Sequence, residues 1–463
     1  MKKIATQALS ELGRSLPDTF ELRFDQTILE IREIKRILPK KRFAALAYWQ
    51  NKRVFVKCFY GKQFNKYVQR EQIGIQNLVN ANLPSPTLLA TLTDSQNACI
   101  LIFQYIKTTQ TFSTQDSPTL NILKKSVELI AKMHVKNLLQ TDIHLDNFLI
   151  KQDLIYIIDA GLIKKYKKNL TVKQRGDNLS LFLMEFSPFL NLFLDILLPI
   201  YNQYFEQPLT IAEIKKTIFK QRKKRERHYI YKKVMRNCSA IKVRKTWRRY
   251  IAIKRDQDQP EIEQLCQNPD DYLEQSKIIK SGHSATVGLL EISGKRYLLK
   301  RYNRKNWVHF IIRSLIASRA AVSWRNGFLL RSYHIETPMP IALIEQRWGF
   351  LRGRSWLLLE YIEGQTLMNY FEKFPKKAEH PFFLDQLAQF VDTLATIRVS
   401  HGDLKAPNLL LTTDNKLYFI DLDAMTSHNQ LKTFNPAFLK DLKRLERDIM
   451  GQVNTDFLFK LLN

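Results

Sequence analysis

Hydrophobic and polar positions alternate at two places along the chain, and each alternation leads to a lysine. Residues 28–60 alternate between basic and apolar side chains, and the stretch 45–57 predicts two strands around a polar turn, with Lys57 ending the second. The stretch 296–300, Arg-Tyr-Leu-Leu-Lys, predicts a comparable strand that ends at Lys300. The same strand-then-lysine pattern therefore occurs twice.

A polar phrase also occurs twice, about 260 positions apart. It consists of an Asp, an Asn five positions later, and a second Asp that closes a strand-like apolar run. The residues are Asp142, Asn147 and Asp159 in the first copy and Asp403, Asn408 and Asp421 in the second. The Asn and the second Asp are 12 positions apart in the first copy and 13 in the second. This is the layout of the catalytic loop and metal strand of a kinase-type phosphotransferase, so the chain is predicted to hold two such domains.

Each residue type in this layout has a chemical reason to be there. Asp142 and Asp403 are predicted to orient the attacking hydroxyl or accept its proton, and Lys405 to neutralise the γ-phosphate of ATP. The four remaining polar residues of the two phrases are predicted to hold Mg²⁺ between the phosphates: Asn147, Asp159, Asn408 and Asp421. Lys57 and Lys300 would then hold the α- and β-phosphates.

The two copies differ around the lysine. In the first copy Glu71 lies in a predicted helix over 64–79, where its carboxylate would pair with Lys57. No glycine-rich loop precedes Lys57, and the basic triplet 40–42 stands in its place. Cationic side chains there either replace the backbone amides that cradle phosphate or leave the copy a weak nucleotide binder.

The second copy has the phosphate loop and lacks the helix carboxylate. Gly282 and Ser284 are predicted to line a phosphate-binding turn, and Val287 to pack on adenine. Between Lys300 and residue 338 the only carboxylate is Glu336, which precedes a strand. The partner of Lys300 is therefore unassigned, and Asp423 is a weaker additional metal candidate.

Two further helical segments bear on this picture. The stretch 303–326 predicts a basic and aromatic helix that either faces a lipid–water interface or fills a core. Asp177 and Asp441 follow their metal Asp by 18 and 20 positions, where a kinase helix braces the catalytic loop through its backbone. We therefore expect both carboxylates to contact the loop.

The length and composition suit two kinase-sized domains. The chain has 463 residues, of which 45% are apolar, and its four cysteines lack metal-binding spacing and are expected to be reduced thiols. The predicted fold class is α+β: two tandem protein-kinase-like bilobal domains, each with an antiparallel-sheet N-lobe and a mainly helical C-lobe. The predicted domains are 1–255, ending in a basic bridge over about 215–255, and 256–463.

The charge points to an anionic partner. Lys and Arg number 73 against 44 acidic residues, a net charge of +29. The bridge 215–255 contains 18 basic residues and one acidic residue, Glu226, with interleaved aromatics. It is either a solvated helical end of the first domain, a patch for membrane or glycolipid phosphate, or a nucleic-acid surface. No base-reading module is recognisable, so nucleic acid is the least favoured partner.

The longest apolar stretch does not predict a membrane span. Residues 179–205 are interrupted by Glu185, Asp195 and two prolines, which favours a buried helical pair in a C-lobe. No apolar signal-peptide core follows the basic N-terminus. We therefore expect a cytoplasmic protein that is soluble or peripheral.

The chain resembles a known family at both phrases. The segments 37–57 and 142–147 look like bacterial lipopolysaccharide core kinases, and the segments 335–340 and 401–423 look like the Kdo/heptose kinase branch. This resemblance implies an ATP- and Mg²⁺-dependent kinase that phosphorylates a heptose or Kdo sugar of the lipopolysaccharide inner core. It also implies a peripheral position on the cytoplasmic face of the bacterial inner membrane, an anionic surface. The alternatives are a pseudokinase-containing scaffold and a kinase acting on proteins or small molecules.

Overall fold

The computed structural model describes residues 2–450 apart from short gaps. The gaps are 25–26, 95–97, 108–109, 112–118, 144, 153, 187, 283, 304–314 and 375–380. The chain divides into two compact units, one formed by Met1–Phe186 with Leu190–Ile218 and the other by Ser187–Phe189 with Phe219–Asn463. The division after Ile218 lies well before the predicted boundary after residue 255.

The first unit contains a seven-stranded sheet in the order β1-β2-β3-β4-β5-β7-β6, antiparallel except for the β1–β2 pair. Its strands are β1 (Lys2–Ala5), β2 (Phe20–Phe24), β3 (Thr27–Leu38), β4 (Arg42–Trp49), β5 (Lys52–Tyr60), β6 (Leu88–Thr93) and β7 (Ala98–Gln104). Val54, Val56 and Cys58 alternate along β5 in one apolar cluster, while Phe55 and Phe59 contact another. Both faces of the sheet are therefore covered.

The rest of the first unit is mainly helical. Its helices are α1 (Leu9–Leu12), α2 (Phe64–Asn80), α3 (Leu120–Val135), α4 (Val172–Leu183), α5 (Leu194–Asn202) and α6 (Ile211–His228), the last of which continues into the second unit. Its short strands are β8 (Gln110–Thr111), β9 (Leu138–Gln140), β10 (Phe148–Lys151), β11 (Leu154–Ile157) and β12 (Ile163–Lys165). The β10–β11 hairpin and the β9–β12 pair hold the segment with the first polar phrase.

The second unit contains an antiparallel seven-stranded sheet in the order β13-β14-β18-β19-β17-β16-β15. Its strands are β13 (Ile241–Lys245), β14 (Arg249–Lys254), β15 (Lys277–Ser281), β16 (Ala285–Ile292), β17 (Lys295–Tyr302), β18 (Pro340–Trp348) and β19 (Leu351–Glu360). The five-strand order β15-β16-β17-β19-β18 repeats the order β3-β4-β5-β7-β6 of the first unit. The extra pair of strands lies on opposite edges of the two sheets.

Helices again make up most of the remainder of the second unit. They are α7 (Pro260–Gln267), α8 (Pro269–Glu274), α9 (Arg319–Arg331), α10 (Leu367–Lys373), α11 (Pro381–Ile397) and α12 (Leu431–Ile449). The short strands are β20 (Gln365–Thr366), β21 (Val399–Ser400), β22 (Leu409–Leu411), β23 (Leu417–Phe419) and β24 (Thr426–Ser427). A sheet-rich lobe followed by a mainly helical lobe confirms the predicted α+β, kinase-like bilobal class.

The basic bridge is not a helical end of the first unit. Its second half forms β13 and β14, and β14 pairs with β18, with Arg249 opposite Gln346. Its first half lies on α6, where Lys223 and Glu226 are buried and form an ion pair at 3.1 Å. The hairpin completes the second sheet because its apolar residues, including Ile251, join that unit's core.

Two other predicted segments have a clear outcome. The apolar stretch 179–205 forms the end of α4, a 3-10 turn and α5, and no described helix is both long and apolar enough to cross a bilayer. The helix predicted over 303–326 is described only from its later part, as α9, because 304–314 lie outside the described residues. Trp324 on α9 is fully buried and donates from Nε1 to the carbonyl of Val234, so it fills a core.

Candidate active site

The second polar phrase folds into a hairpin that brings its Asn and its last Asp together. β22 pairs with β23, and the amide of Ile420 donates to the carbonyl of Asn408 at 3.0 Å. Asp421 has a left-handed backbone, with φ 62°, and starts the 3-10 turn Leu422–Ala424. Asn408 and Asp421 therefore lie side by side at one end of the hairpin, as a shared metal site requires.

Asp403 is held by three neighbours. Asn408 donates from Nδ2 to the Asp403 carbonyl at 2.8 Å and to its Oδ2 at 3.1 Å, and Lys405 Nζ lies 2.8 Å from the same Oδ2. Arg444 approaches Oδ1 at 3.6 Å. Partial burial alone would raise the pKa of Asp403, but Lys405 lowers it below its usual value. The carboxylate is therefore ionised and oriented, as an acceptor of a hydroxyl proton must be.

Lys300 reaches the metal strand. Its Nζ lies 2.5 Å from Asp421 Oδ1 and 3.8 Å from Asp423 Oδ2. Burial alone would raise the pKa of Asp421, but Lys300 keeps it below its usual value. Val287 on β16 is directly opposite Lys300 on β17, so the predicted adenine contact and the predicted phosphate contact are neighbours in the sheet.

The predicted phosphate turn connects β15 and β16. The amide of Gly282 donates to the carbonyl of Ala285 at 3.2 Å, which closes the turn. Asn303 donates from Nδ2 to the carbonyl of Gly282 at 2.8 Å, and its own amide donates to the carbonyl of Ser284 at 3.1 Å. Gly282 and Ser284 thus lie in a turn that Asn303 fixes next to the end of the Lys300 strand. Asn303 could not be predicted from the sequence, because a single Asn belongs to no recognisable motif.

In the second unit, helix α9 provides a cation, Arg319, in place of the helix carboxylate that the sequence lacks. Ser318 caps α9 by accepting from the amide of Ala321, which makes Arg319 the first helical residue. Arg319 Nη2 lies 2.6 Å from Asp423 Oδ2, and its Nη1 donates to the carbonyl of Ser284 at 3.1 Å. The carboxylate of this ion pair thus comes from Asp423, after β23, and the cation comes from Arg319 on α9. Asp423, a weaker metal candidate in the sequence, joins Lys300 and Arg319 instead.

Helix α12 braces the catalytic loop along one face. Asp441 accepts from the amide of Gly402 at 2.9 Å, Arg444 donates to the carbonyl of Gly402 at 2.6 Å, and Asp448 accepts from the amide of Ala406 at 3.2 Å. Positions three and four apart share a helix face, so these three side chains contact one loop. Asp441 therefore makes the backbone contact that its spacing predicted.

We expect Asp441→Ala to lower kcat for phosphoryl transfer by about 10-fold and the stability of the second unit by about 1–3 kcal/mol, since the Gly402 amide loses the acceptor that the buried Asp441 provides. Asp441→Asn keeps an acceptor oxygen and is expected to restore most of the rate. Steady-state kinetics measure kcat of each variant, and denaturant unfolding measures its stability. Equal rates for the alanine variant and the wild type would contradict the bracing role.

The first unit assembles its lysine pair as predicted. Lys57 Nζ lies 2.5 Å from Glu71 Oε1 and 3.1 Å from Asp159 Oδ1, and both Lys57 and Glu71 are buried. The other oxygen of Glu71 accepts from the amide of Gly161 at 3.2 Å, which ties α2 to the turn after Asp159. Burial alone would raise the pKa of Asp159, but Lys57 and then Arg42 lower it.

The first polar phrase also closes into a hairpin. The amide of Ile158 donates to the carbonyl of Asn147 at 2.8 Å, and Asn147 donates from Nδ2 to the carbonyl of Asp142 at 2.8 Å. Asn147 and Asp159 both line a cleft of about 520 Å³. Asp142 is exposed and is not among the lining residues. The cleft thus includes the metal candidates of the first unit, and Asp142 adjoins it through the Asn147 contact.

The cleft in the first unit is lined by both apolar and charged residues. The apolar residues include Ala44, Phe55, Phe103 and Leu149, and the charged residues are Lys35, Arg36, Arg42, Lys57, Glu71, Asp146 and Asp159. Apolar side chains together with cations suit a nucleotide, because the base takes apolar contacts and the phosphates take positive charge. Arg42 follows the β3–β4 turn and lies 3.7 Å from Asp159, in the position of the missing glycine loop.

Helix α4 contacts the catalytic segment of the first unit through Asn178, the residue after the predicted Asp177. Asn178 donates to the carbonyl of Gln140 at 2.8 Å. Asn178 Oδ1 accepts from His134 Nε2 at 3.0 Å. Asn178 is buried, so its side chain faces the interior of the first unit. Burial lowers the pKa of His134 to about 4, so its imidazole is neutral.

The residues at both hairpin ends fit Mg²⁺ by their chemistry. Each end offers a carboxylate and an amide oxygen, from Asp421 with Asn408 and from Asp159 with Asn147. Mg²⁺ prefers such hard oxygen ligands and commonly takes one or two protein groups together with phosphate oxygens and water. Among the described residues, no cluster of three or more His, Cys, Asp or Glu forms an independent metal site.

Comparison with known proteins gives one informative match. Residues 270–458 match the family model described as the lipopolysaccharide kinase (Kdo/WaaP) family. No curated protein matches the chain. A solved structure titled "Structure of vaccinia related kinase 3" aligns with 35% of this chain and 56% of its own, at 11% identity and a TM-score of 0.26, too low to support an argument. The part of the chain over residues 270–458 is therefore similar to the lipopolysaccharide kinase (Kdo/WaaP) family.

Proposed function

We propose that the chain is an ATP-dependent kinase that phosphorylates a heptose or Kdo sugar of the lipopolysaccharide inner core, and that its second unit performs the transfer. The observation that carries this proposal is the joint arrangement of Asp403, Asn408, Lys300 and Asp421 inside the segment that matches the lipopolysaccharide kinase family. The family description names the substrate class, and the geometry supplies the chemistry.

The residues act mainly by positioning and charge neutralisation, because phosphoryl transfer passes through a loose transition state. Asp403 accepts the proton of the sugar hydroxyl as that oxygen forms its bond to the γ-phosphorus, and the bond to the ADP oxygen breaks. Lys405, 2.8 Å from Asp403, is placed to neutralise the transferred group. Lys300 holds the α- and β-phosphates. Mg²⁺, held by Asn408 and Asp421, neutralises phosphate charge when bound.

The acceptor fits the charge of the protein. Lipopolysaccharide core carries several negative charges and is embedded in a bilayer, and the chain has a net charge of +29. ATP is available on the cytoplasmic face of the inner membrane, so we place the protein there as a peripheral enzyme. The described residues contain no helix that could cross that membrane.

The first unit has a second candidate role: binding nucleotide without transferring phosphate. The buried Lys57–Glu71 pair and the cleft of about 520 Å³ favour nucleotide binding. Asp142, the predicted base, is exposed and lies outside the cleft lining. In this role the first unit is a pseudokinase scaffold that stabilises or regulates the second. Calorimetric titration is expected to show two nucleotide sites, one of which is lost in Lys57→Met while transfer continues.

The proposal is tested by supplying the purified chain with Mg²⁺ and γ-labelled ATP in the presence of three acceptors. These are deacylated lipopolysaccharide core lacking phosphate, an aminoglycoside, and a mixture of proteins. Label on the core sugar alone is the expected result. Label on the aminoglycoside or on protein would favour the alternative kinase classes, and absence of label from all three would favour a scaffold.

A further inference from the structure

Two hairpin turns lie side by side at one end of the second sheet, and their aromatic side chains are exposed. Residues 246–248 connect β13 with β14, and residues 349–350 connect β18 with β19. The amide of Gly349 donates to the carbonyl of Trp247 at 2.9 Å, which joins the two turns. Trp247 is 73% exposed, Phe350 is 76% exposed and Trp348 is 48% exposed. We call these three residues the aromatic apex.

The apex has a fixed shape. Gly349 has a φ of +63°, and a Cβ added there would lie 2.7 Å from Cη2 of Trp247, so the indole ring lies against the glycine backbone. Only glycine allows both the left-handed conformation and this close approach. The exposed aromatic rings are thus held on paired strands, and large exposed aromatics on a rigid projection mark an interaction surface.

Basic residues are frequent in the strands that carry the apex. Residues 240–255 contain seven Lys or Arg and residues 346–354 contain three Arg, and neither stretch has an Asp or Glu. Six of these ten basic residues pair with acidic residues from outside the two stretches: Lys242, Arg244, Lys254, Arg347, Arg352 and Arg354. Lys245 and Arg248 are exposed and form no ion pair with any described residue. These two side chains leave positive charge beside the rings, which suits an anionic partner.

The apex lies at the phosphate end of the sheet. Tyr302, two positions after Lys300, pairs with both Ala285 beside the phosphate turn and Ser355 on β19. From Ser355, β19 continues four residues to Leu351, about 13 Å at the usual strand rise. The other end of β19, at Glu360, points away from the phosphate turn and continues towards the helical lobe. The apex and the phosphate turn thus project from the same end of the strands.

We infer that the aromatic apex inserts into the interfacial layer of an anionic phospholipid bilayer, with Lys245 and Arg248 among the headgroups. Trp and Phe favour the boundary between headgroups and acyl chains, and each nearby basic residue contributes about 1 kcal/mol of attraction to an anionic membrane. This inference deepens the proposed function and rests on it in one respect: insertion would present an embedded glycolipid acceptor to the phosphate end of the sheet.

A bilayer is favoured over a protein partner by the shape and composition of the surface. Protein interfaces generally match a groove or a flat patch and are depleted in Lys at their centre. Here two turns expose aromatic rings beside the exposed side chains of Lys245 and Arg248, which form no ion pair with any described residue. That combination is typical of segments that enter the headgroup region from one side.

The test uses the whole chain with vesicles of phosphatidylethanolamine and phosphatidylglycerol, compared with vesicles of phosphatidylcholine alone. We expect co-sedimentation with the anionic vesicles only, and quenching of tryptophan fluorescence by lipids brominated on the acyl chains. The buried Trp324 and Trp356 provide an unquenched background. Co-sedimentation without quenching would mean that only the headgroups are contacted, and would overturn insertion.

Two sets of variants locate the contact. The triple variant Trp247→Ser, Trp348→Ser, Phe350→Ser is expected to weaken vesicle binding at least about 10-fold, and Phe350→Ser alone to weaken it measurably. Ile73→Ser, which changes an exposed apolar residue elsewhere, is the matched control. The double variant Lys245→Glu, Arg248→Glu is expected to bind anionic vesicles at least about 10-fold more weakly than the wild type. The double variant Lys167→Glu, Lys168→Glu is its control. Equal binding by the apex variants and their controls would overturn the inference.

The outcome is separable from that of the proposed function. The triple variant is expected to phosphorylate a water-soluble, deacylated acceptor at the wild-type rate and to lose rate on a vesicle-embedded acceptor. Absence of transfer to the soluble acceptor by the wild type would contradict the kinase proposal and leave the vesicle result standing. A wild-type dimer that the triple variant converts to a monomer, with no vesicle binding by either, would assign the apex to a contact between copies.

Discussion

Replacing Asp403 by asparagine is expected to lower kcat for sugar phosphorylation by about 10³-fold, with little change in KM for ATP. The amide occupies the same space but cannot accept the hydroxyl proton. The bond from Asn408 to the Asp403 backbone carbonyl at 2.8 Å is retained, so the loop is expected to keep its shape. Steady-state transfer to deacylated core measures the effect.

The matched control is Asp142→Asn at the corresponding position of the first unit. Because Asp142 is exposed and lies outside the cleft lining, we expect this variant to keep most of the wild-type kcat. A loss as large as that of the Asp403 variant would show that the first unit also performs chemistry. A loss in the Asp142 variant alone would assign transfer to the first unit and contradict the proposal.

Replacing Glu71 by glutamine is expected to lower the free energy of unfolding of the first unit by about 3 kcal/mol. Removing one partner of a buried ion pair leaves an uncompensated charge, which commonly costs about 3–5 kcal/mol. Asp159 remains 3.1 Å from Lys57 and offsets part of that cost. Hydrogen exchange of peptides from α2, followed by mass spectrometry across a urea series, reports this unit separately.

The control for this variant is Glu33→Gln. Glu33 pairs with Lys35 on the surface of β3, where both side chains are about half exposed. Exposed pairs contribute about 0–1 kcal/mol, so little change is expected. If the Glu71 variant were no less stable than this control, the Lys57–Glu71 contact would not be the buried pair that the structure describes.

Much of the site could be predicted from the sequence because its residues follow strands at fixed spacings. The two polar phrases identified the residues that the β10–β11 and β22–β23 hairpins bring together. Strand periodicity placed Lys57 and Lys300 at the ends of apolar runs, since side chains that alternate every second residue mark one sheet face. The position of Glu71 on α2 followed from helical periodicity and its distance from Lys57.

The remaining features depend on contacts between distant segments. Nothing local in the sequence shows that Arg319 on α9 pairs with Asp423 across 104 positions. The basic bridge was misplaced because its charges outweighed the short apolar alternation of β13 and β14, whose partner β18 lies about 90 residues later. The contact that Asn178 makes with Gln140 was not predicted, because spacing locates a helix face only to within one position.

Mass spectrometry of core oligosaccharide from a deletion strain tests the central claim most directly. The strain carries the wild-type gene, the Asp403→Asn variant or the Asp142→Asn variant. The account predicts that the wild type and the Asp142 variant restore a phosphate on an inner-core sugar, and that the Asp403 variant does not. Unchanged core phosphate in all strains, including the deletion, would contradict it.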